Sequence, residues 1–119
     1  MHEFKVKKDS QEKIQRAGEL LGQGDYDGYL NINEEVLALL PDRPPGDEAL
    51  FNIGLIYIHN DNPKKNYKKS LQMFKRLVHD FPQSNLVEEA RIWIGLLEVI
   101  EKSKQADIEI EEKKKELTQ

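Results

Sequence analysis

The side chains able to do acid–base, nucleophilic or metal chemistry are few in this chain, and they do not form sets. His59 and His79 lie in separate segments with no second histidine or paired carboxylate at ligand spacing beside either, so the donors of a zinc site are not assembled. Asp25, Asp27 and Asp61 lack the spacing of a calcium loop. The absence of cysteine removes thiolate catalysis and any disulfide framework. No glycine-rich loop follows a strand-like run to cradle a phosphate, and no serine, histidine and aspartate stand out as a nucleophile with its base. These residues assign no catalytic group, no metal ligand and no cofactor, which makes an enzyme the least supported class.

Charge offers one further chemistry. Lys64, Lys65, Lys68, Lys69, Lys75 and Arg76 surround Tyr67 in the sequence, a combination suited to phosphate or to an anionic lipid surface. The same lysines also fit the solvated side of a helix, with Asp61, Asp80 and the acidic tail balancing them. Lys113, Lys114 and Lys115 stand at helical spacing from Glu109, Glu111 and Glu112, where pairs three and four apart neutralise one another. A net charge of −4 opposes a nucleic-acid partner, whose binders carry a basic excess.

What remains is apolar recognition, which depends on the elements that present the side chains. The chain has 119 residues, about one domain, with 34% charged and 38% hydrophobic residues, a balance that suits a solvated helical protein. No apolar run approaches the roughly 18 residues of a membrane span. Met1-His2-Glu3-Phe4-Lys5 lacks the apolar core of a secretory signal, so the expectation is a cytoplasmic protein or one whose leader has been removed.

Glycine and proline divide the chain at Gly22 to Gly28, Pro41 to Gly46, Asn60 to Pro63 and Pro82, and the segments between them carry helical spacing. The first helix is expected over 10–23, capped by Asp9 with Glu12 and preceded by a tail over 1–9. A second follows Gly24-Asp25-Tyr26 and stops at Pro41, where the hydrogen-bond ladder cannot continue. A third starts near Asp47 and runs through Ile58. Asn62-Pro63 opens a fourth, with Asn62 as cap and Pro63 at the first helical position, and Phe81-Pro82 closes it. A fifth begins near Asn85, paired with Glu88 as a capping box, and passes Ile100 without a breaker.

These segments recur. Gly18, Gly54 and Gly95 each fall on the first helix of a pair, and Pro41 and Pro82 each close the second. In the middle unit Leu50-x-x-Ile53-Gly54-x-x-Tyr57 is followed by Tyr67, Ser70, Phe74 and Pro82, which closely resembles the tetratricopeptide repeat pattern. The small residue allows two helices to approach and the large ones fill the hairpin. The first unit departs from the pattern, with Tyr29 in place of a small residue and Asn33 in place of an aromatic. The third keeps Ala90 and Ile94-Gly95 but has no second helix. Units of 36 residues from Gly18 to Gly54 and 41 from Gly54 to Gly95 exceed the usual length of about 34. Together with Asp80-Phe81-Pro82-Gln83-Ser84, this resembles bacterial cell-envelope repeat proteins of the β-barrel assembly lipoprotein and Tol-Pal coordinator types.

The resemblance covers about residues 11–101. It implies an all-α superhelix of about two and a half helix hairpins over 10–101, with a polar C-terminal helix over 102–119. It also implies a non-catalytic scaffold of the cell envelope, whose first helices line a concave groove for a protein or peptide partner. The residues flanking the packing positions there are Phe51, Leu55 and Ile58 in the second unit and Ile92, Leu96 and Val99 in the third. The alternative is that these are core. The fifth helix bears on the choice, because Ile92, Trp93, Ile94, Leu96 and Leu97 lie nearly all round it and four earlier helices cannot cover every side.

The tail either continues that helix or folds back after a kink near Ser103. Nothing between Glu101 and Glu116 breaks a helix, so a continuous one from about Asn85 to Leu117 is expected, about 50 Å long. Val99, Ser103, Ala106, Ile110, Lys113 and Leu117 alternate at steps of four and three, a thin coiled-coil seam that would join a homodimer together with the free sides of Trp93 and Leu97.

Overall fold

A computed structural model describes residues 2–118. Five helices follow one another, α1 (His2–Gly22), α2 (Tyr26–Leu39), α3 (Gly46–Ile56), α4 (Tyr67–Asp80) and α5 (Val87–Thr118). Each packs on the next in chain order, which makes the fold an all-α stack of helical hairpins.

Local chemistry starts and stops the second helix of each hairpin in the same way. Asp25 and Asn66 cap α2 and α4, their side chains accepting from the backbone N–H of Gly28 at 2.9 Å and of Lys69 at 3.1 Å, which satisfies donors the first turn would otherwise leave unpaired. Both helices have 14 residues. They end at Leu40 and Phe81, whose N–H groups donate to the carbonyls of Val36 and Leu77, and Pro41 and Pro82 then prevent continuation. Tyr26 and Tyr67 open their helices 41 residues apart, as do Gly46 and Val87. Only glycine fits at the start of α3, because a Cβ on Gly46 would lie 1.8 Å from the Leu40 carbonyl oxygen.

Three expected boundaries move. α1 begins at His2 rather than at residue 10, so the segment 2–9 expected as a tail is helical. Lys, Glu and Val there contain no breaker, an ion pair joins Glu3 to Arg43, and Val6 and Lys7 are half-buried. α4 begins at Tyr67 rather than at Pro63. Asn62 is a buried loop anchor, donating to the Ile56 carbonyl at 2.8 Å and accepting from Lys64 N–H at 2.9 Å. At the head of α5, Ser84 replaces Asn85 as the capping group: its hydroxyl accepts from Leu86 N–H at 3.1 Å and donates to Asp47.

The core is centred on α3, seven of whose 11 residues are buried. Gly54 faces α4 so closely that Ser70 Oγ donates to the Gly54 carbonyl at 2.7 Å, and Phe74 fills the space beneath. The Phe74 ring meets Phe51 edge-on at 5.3 Å and stacks on Trp93 at 6.1 Å, joining α3, α4 and α5. The first hairpin is built differently. Asn33, at the position α4 gives to Phe74, is fully buried; it donates to the Tyr29 carbonyl at 2.9 Å and accepts from Asn52 of α3 at 3.0 Å. Its side chain therefore serves the junction with α3, and a Cβ on Gly18 would meet nothing within 4 Å. The same is true of Gly95.

α5 runs unbroken for 32 residues, about 48 Å at 1.5 Å per residue, with no kink at Ser103. Its first half packs on α4 and the central core, and every described residue from Lys102 onward is exposed. The resulting shape measures 70 × 32 × 19 Å with a radius of gyration of 17.6 Å, against about 13.5 Å for a compact chain of this length. No helix among the described residues is long and apolar enough to cross a membrane.

Candidate functional site

Two buried clusters stand side by side in this stack with a gap between parts of them. One, around Leu50, Phe74, Leu77 and Leu97, joins α2 through α5; the other, around Ala17, Tyr29 and Ile56, lies under the α1–α2 turn. The gap is a groove of about 590 Å³, within the range of ligand-sized sites. Leu21 and Tyr29 line it at the first hairpin and Leu55 and Ile56 on α3. Ile58 and His59 follow from the next loop, Tyr67 from α4, and Trp93, Leu96, Leu97, Val99 and Ile100 from α5. The groove exists because α3 stops at Ile56 while α5 continues past it, and the chain over 57–66 turns aside, held by Asn66 N–H donating to the Tyr57 carbonyl at 2.7 Å.

The six residues expected to face a partner divide between this groove and other surroundings. Leu55, Ile58, Leu96 and Val99 come together on its lining. Ile92 is 64% exposed and does not line the groove; it lies on the same side of α5 as Leu96, one turn nearer the N-terminus. Phe51 is the correction. It is only 8% exposed and packed against Phe74, because α3 lies between α2 and α4 and turns Phe51 into the central cluster. Leu97, expected to offer a free side, is also core at 2% exposure, and Trp93 is half-buried in its stack on Phe74.

Phe51→Ser should therefore lower the urea unfolding free energy of the single chain, measured at high dilution, by about 3 kcal/mol, whereas Leu96→Ser, at 53% exposure there, should change it by no more than about 0.5 kcal/mol. Equal losses from the two would place Leu96 in the core.

The groove is poor in polar groups that could do chemistry. The Tyr29 phenol is pushed up to about 12, first by burial and then by the charge of Glu48, so it stays protonated. His59 packs against Tyr26 with ring centres 4.9 Å apart, and its Nδ1 accepts from Asp61 N–H at 3.2 Å. Among the described residues no group of three or more histidine, aspartate or glutamate side chains is close enough to share a metal ion. The lysines around Tyr67 are dispersed. Lys64 pairs with Asp27 at 3.1 Å, Lys69 sits over the Tyr57 ring, and Arg76 pairs with Asp80 at 3.2 Å. Lys65 and Lys68 stay beside Tyr67, where Lys104 of α5 lies 4.7 Å from the ring centre.

Leu21, Tyr29, Ile56 and Ile100 line the groove without having been singled out by spacing. Each is apolar at a helical position like many core residues, and only the relative placement of the two clusters leaves these four at an opening. Comparison with known protein families, with curated proteins and with solved structures finds no match.

Proposed function

We propose that this protein is a non-catalytic interaction module that binds the apolar face of a helical polypeptide segment in the groove between the first hairpin and α5. The observation that carries the proposal is the groove itself: about 590 Å³, open, and lined almost wholly by aliphatic and aromatic side chains from every helix. A bound helix presents its anchors at steps of three and four along one face, and Leu55, Ile58, Leu96 and Val99 supply apolar surface along α3, its following loop and α5. An exposed apolar groove on a chain with 34% charged residues is otherwise an aggregation liability. The tetratricopeptide resemblance of Leu50-x-x-Ile53-Gly54-x-x-Tyr57 and the 41-residue recurrence of helix starts support the same class, in which stacked hairpins hold other polypeptides.

A peptide library displayed on phage and selected against the full chain is the direct test. The expected sequences are amphipathic, with bulky apolar residues at helical spacing. Leu55→Ser and Ile58→Ser should each weaken the selected peptides about tenfold or more by burying polar groups without partners. Selection of nothing, or of peptides indifferent to both changes, sinks the proposal.

A further inference from the structure

α5 carries two apolar faces. Ala90, Trp93, Ile94, Leu97 and Ile100 pack into or against the body, while Ile92, Leu96 and Val99 remain 64, 53 and 61% exposed. From Ile92 the exposed series continues in alternating steps of four and three through Leu96, Val99, Ser103, Ala106, Ile110, Lys113 and Leu117. Ile110 and Leu117, far out on the arm, are 53 and 79% exposed. Steps of four and three average 3.5 residues, the period at which one helix meets another along a continuous seam. At about 100° per residue this stripe is centred about 145° from the side that packs on the body. A second helix laid along it avoids α3 and α4, and a two-fold axis parallel to α5 carries the two bodies away from each other.

The flanking charges identify the second helix. With Leu96, Ser103, Ile110 and Leu117 at the a positions, Lys102 and Glu109 fall at g and Asp107 and Lys114 at e. In a parallel, in-register pair each g residue faces the e residue five further along the other helix. Lys102 then meets the partner's Asp107 and Glu109 meets the partner's Lys114, and the two-fold axis repeats both pairs with opposite sign at every contact. An antiparallel pair crossing between Ser103 and Ala106 would instead set Leu96 against the partner's Lys113, whereas parallel pairing stacks Ile92, Leu96 and Val99 on their own copies. An arm of 17 residues, all of them exposed, is also at the length where a lone helix is marginal in water.

We propose that the chain forms a parallel, in-register homodimer through α5, with the seam running from Ile92 to Leu117. Leu96 and Val99 lie both on this seam and at the rim of the groove, so each partner helix adds an outer wall to the groove beside it. Pairing along Ser103 to Leu117 does not depend on what the groove binds.

Sedimentation equilibrium of the full chain should give the mass of a dimer. Ile110→Glu should raise its dissociation constant about tenfold or more by placing a charge in the seam. Ile110 is exposed on the arm, beyond the part of α5 that packs on the body, so this loss should leave the thermal unfolding of the body intact. Lys102→Glu should weaken the dimer and the added Asp107→Lys should restore it, while Lys113→Leu, which removes a like-charge contact at d, should tighten it about tenfold. Because the chain has no cysteine, Ser103→Cys tests register directly: paired a positions lie about 6 Å apart between Cα atoms, within disulfide reach. Mild oxidation should link Ser103→Cys chains and leave Gln105→Cys, on the outer face, unlinked. A monomer at high micromolar concentration, equal linkage at the two sites, or no restoration by Asp107→Lys overturns the proposal.

Discussion

Gly54→Leu is expected to unfold the middle of the stack, at a cost of about 3 kcal/mol or more. A Cβ alone at this position would lie 2.7 Å from Cζ of Phe74 and 2.9 Å from both Cε atoms, closer than side chains approach in folded proteins. The ring has no room to retreat, since Phe51 and Trp93 hold it from two other sides, and the backbone of α3 is tied to α4 by the Ser70 hydroxyl on the Gly54 carbonyl. The remaining leucine carbons would have to enter the same space. Gly18 and Gly95 make the control, because nothing lies within 4 Å of a Cβ on either. Gly95→Ala should stabilise the protein by about 0.5 to 1 kcal/mol through helix propensity alone. Thermal melting of the two variants decides the matter: an unchanged midpoint for Gly54→Leu would mean that α3 and α4 do not approach as described.

That contrast shows which features could be read from the chain. Signals that act within a few residues were legible: Pro41 and Pro82 end α2 and α4, and the breaker-free tail gives the unbroken α5. Gly54 could also be matched to Phe74, because both belong to one hairpin and the aromatic partner is present in the sequence. The equivalent argument at Gly18 did not hold, since Asn33 directs its amide to Asn52 of α3 rather than filling the first hairpin. Asn62 and Asn66 are equally good caps by type. The choice between them is made by tertiary contacts, Asn62 being held under the end of α3 by the Ile56 carbonyl and Asn66 by the Tyr57 carbonyl.

Four of the six residues expected at the candidate site line the groove, for the same reason. Spacing along α5 placed Leu96 and Val99 off the packed side, and there the structure leaves them exposed. On α3 the same logic holds for Leu55, which lines the groove, and fails for Phe51, whose ring packs into the core against Phe74. The groove is a property of two clusters that do not quite meet, and Leu21, Tyr29 and Ile100 reach it from segments far apart in the chain. No local pattern encodes that distance.

The second large effect is expected at the other side of the Gly54 contact. Phe74 is fully buried and touches α3 and α5 at once, so Phe74→Ala removes the side chain that joins three helices and leaves a cavity too enclosed to collapse, at about 4 to 5 kcal/mol. Trp93 is the chain's one tryptophan, and its stacking partner at 6.1 Å is Phe74. Its emission should therefore change in the folded variant as the ring loses its stacking partner. The two positions must also be coupled. In the wild-type background Gly54→Ala drives a methyl into the Phe74 ring and destabilises; in the Phe74→Ala background the same methyl enters space the ring has vacated, and alanine is the better helix former by about 1 kcal/mol. Gly54→Ala should then turn from harmful to neutral or favourable, giving a coupling of about 1 to 3 kcal/mol in a double-mutant cycle measured by urea unfolding. Strict additivity of the two changes would show that the glycine is not there to admit the ring, and the account of the central hairpin given by Gly54, Ser70 and Phe74 would fall with it.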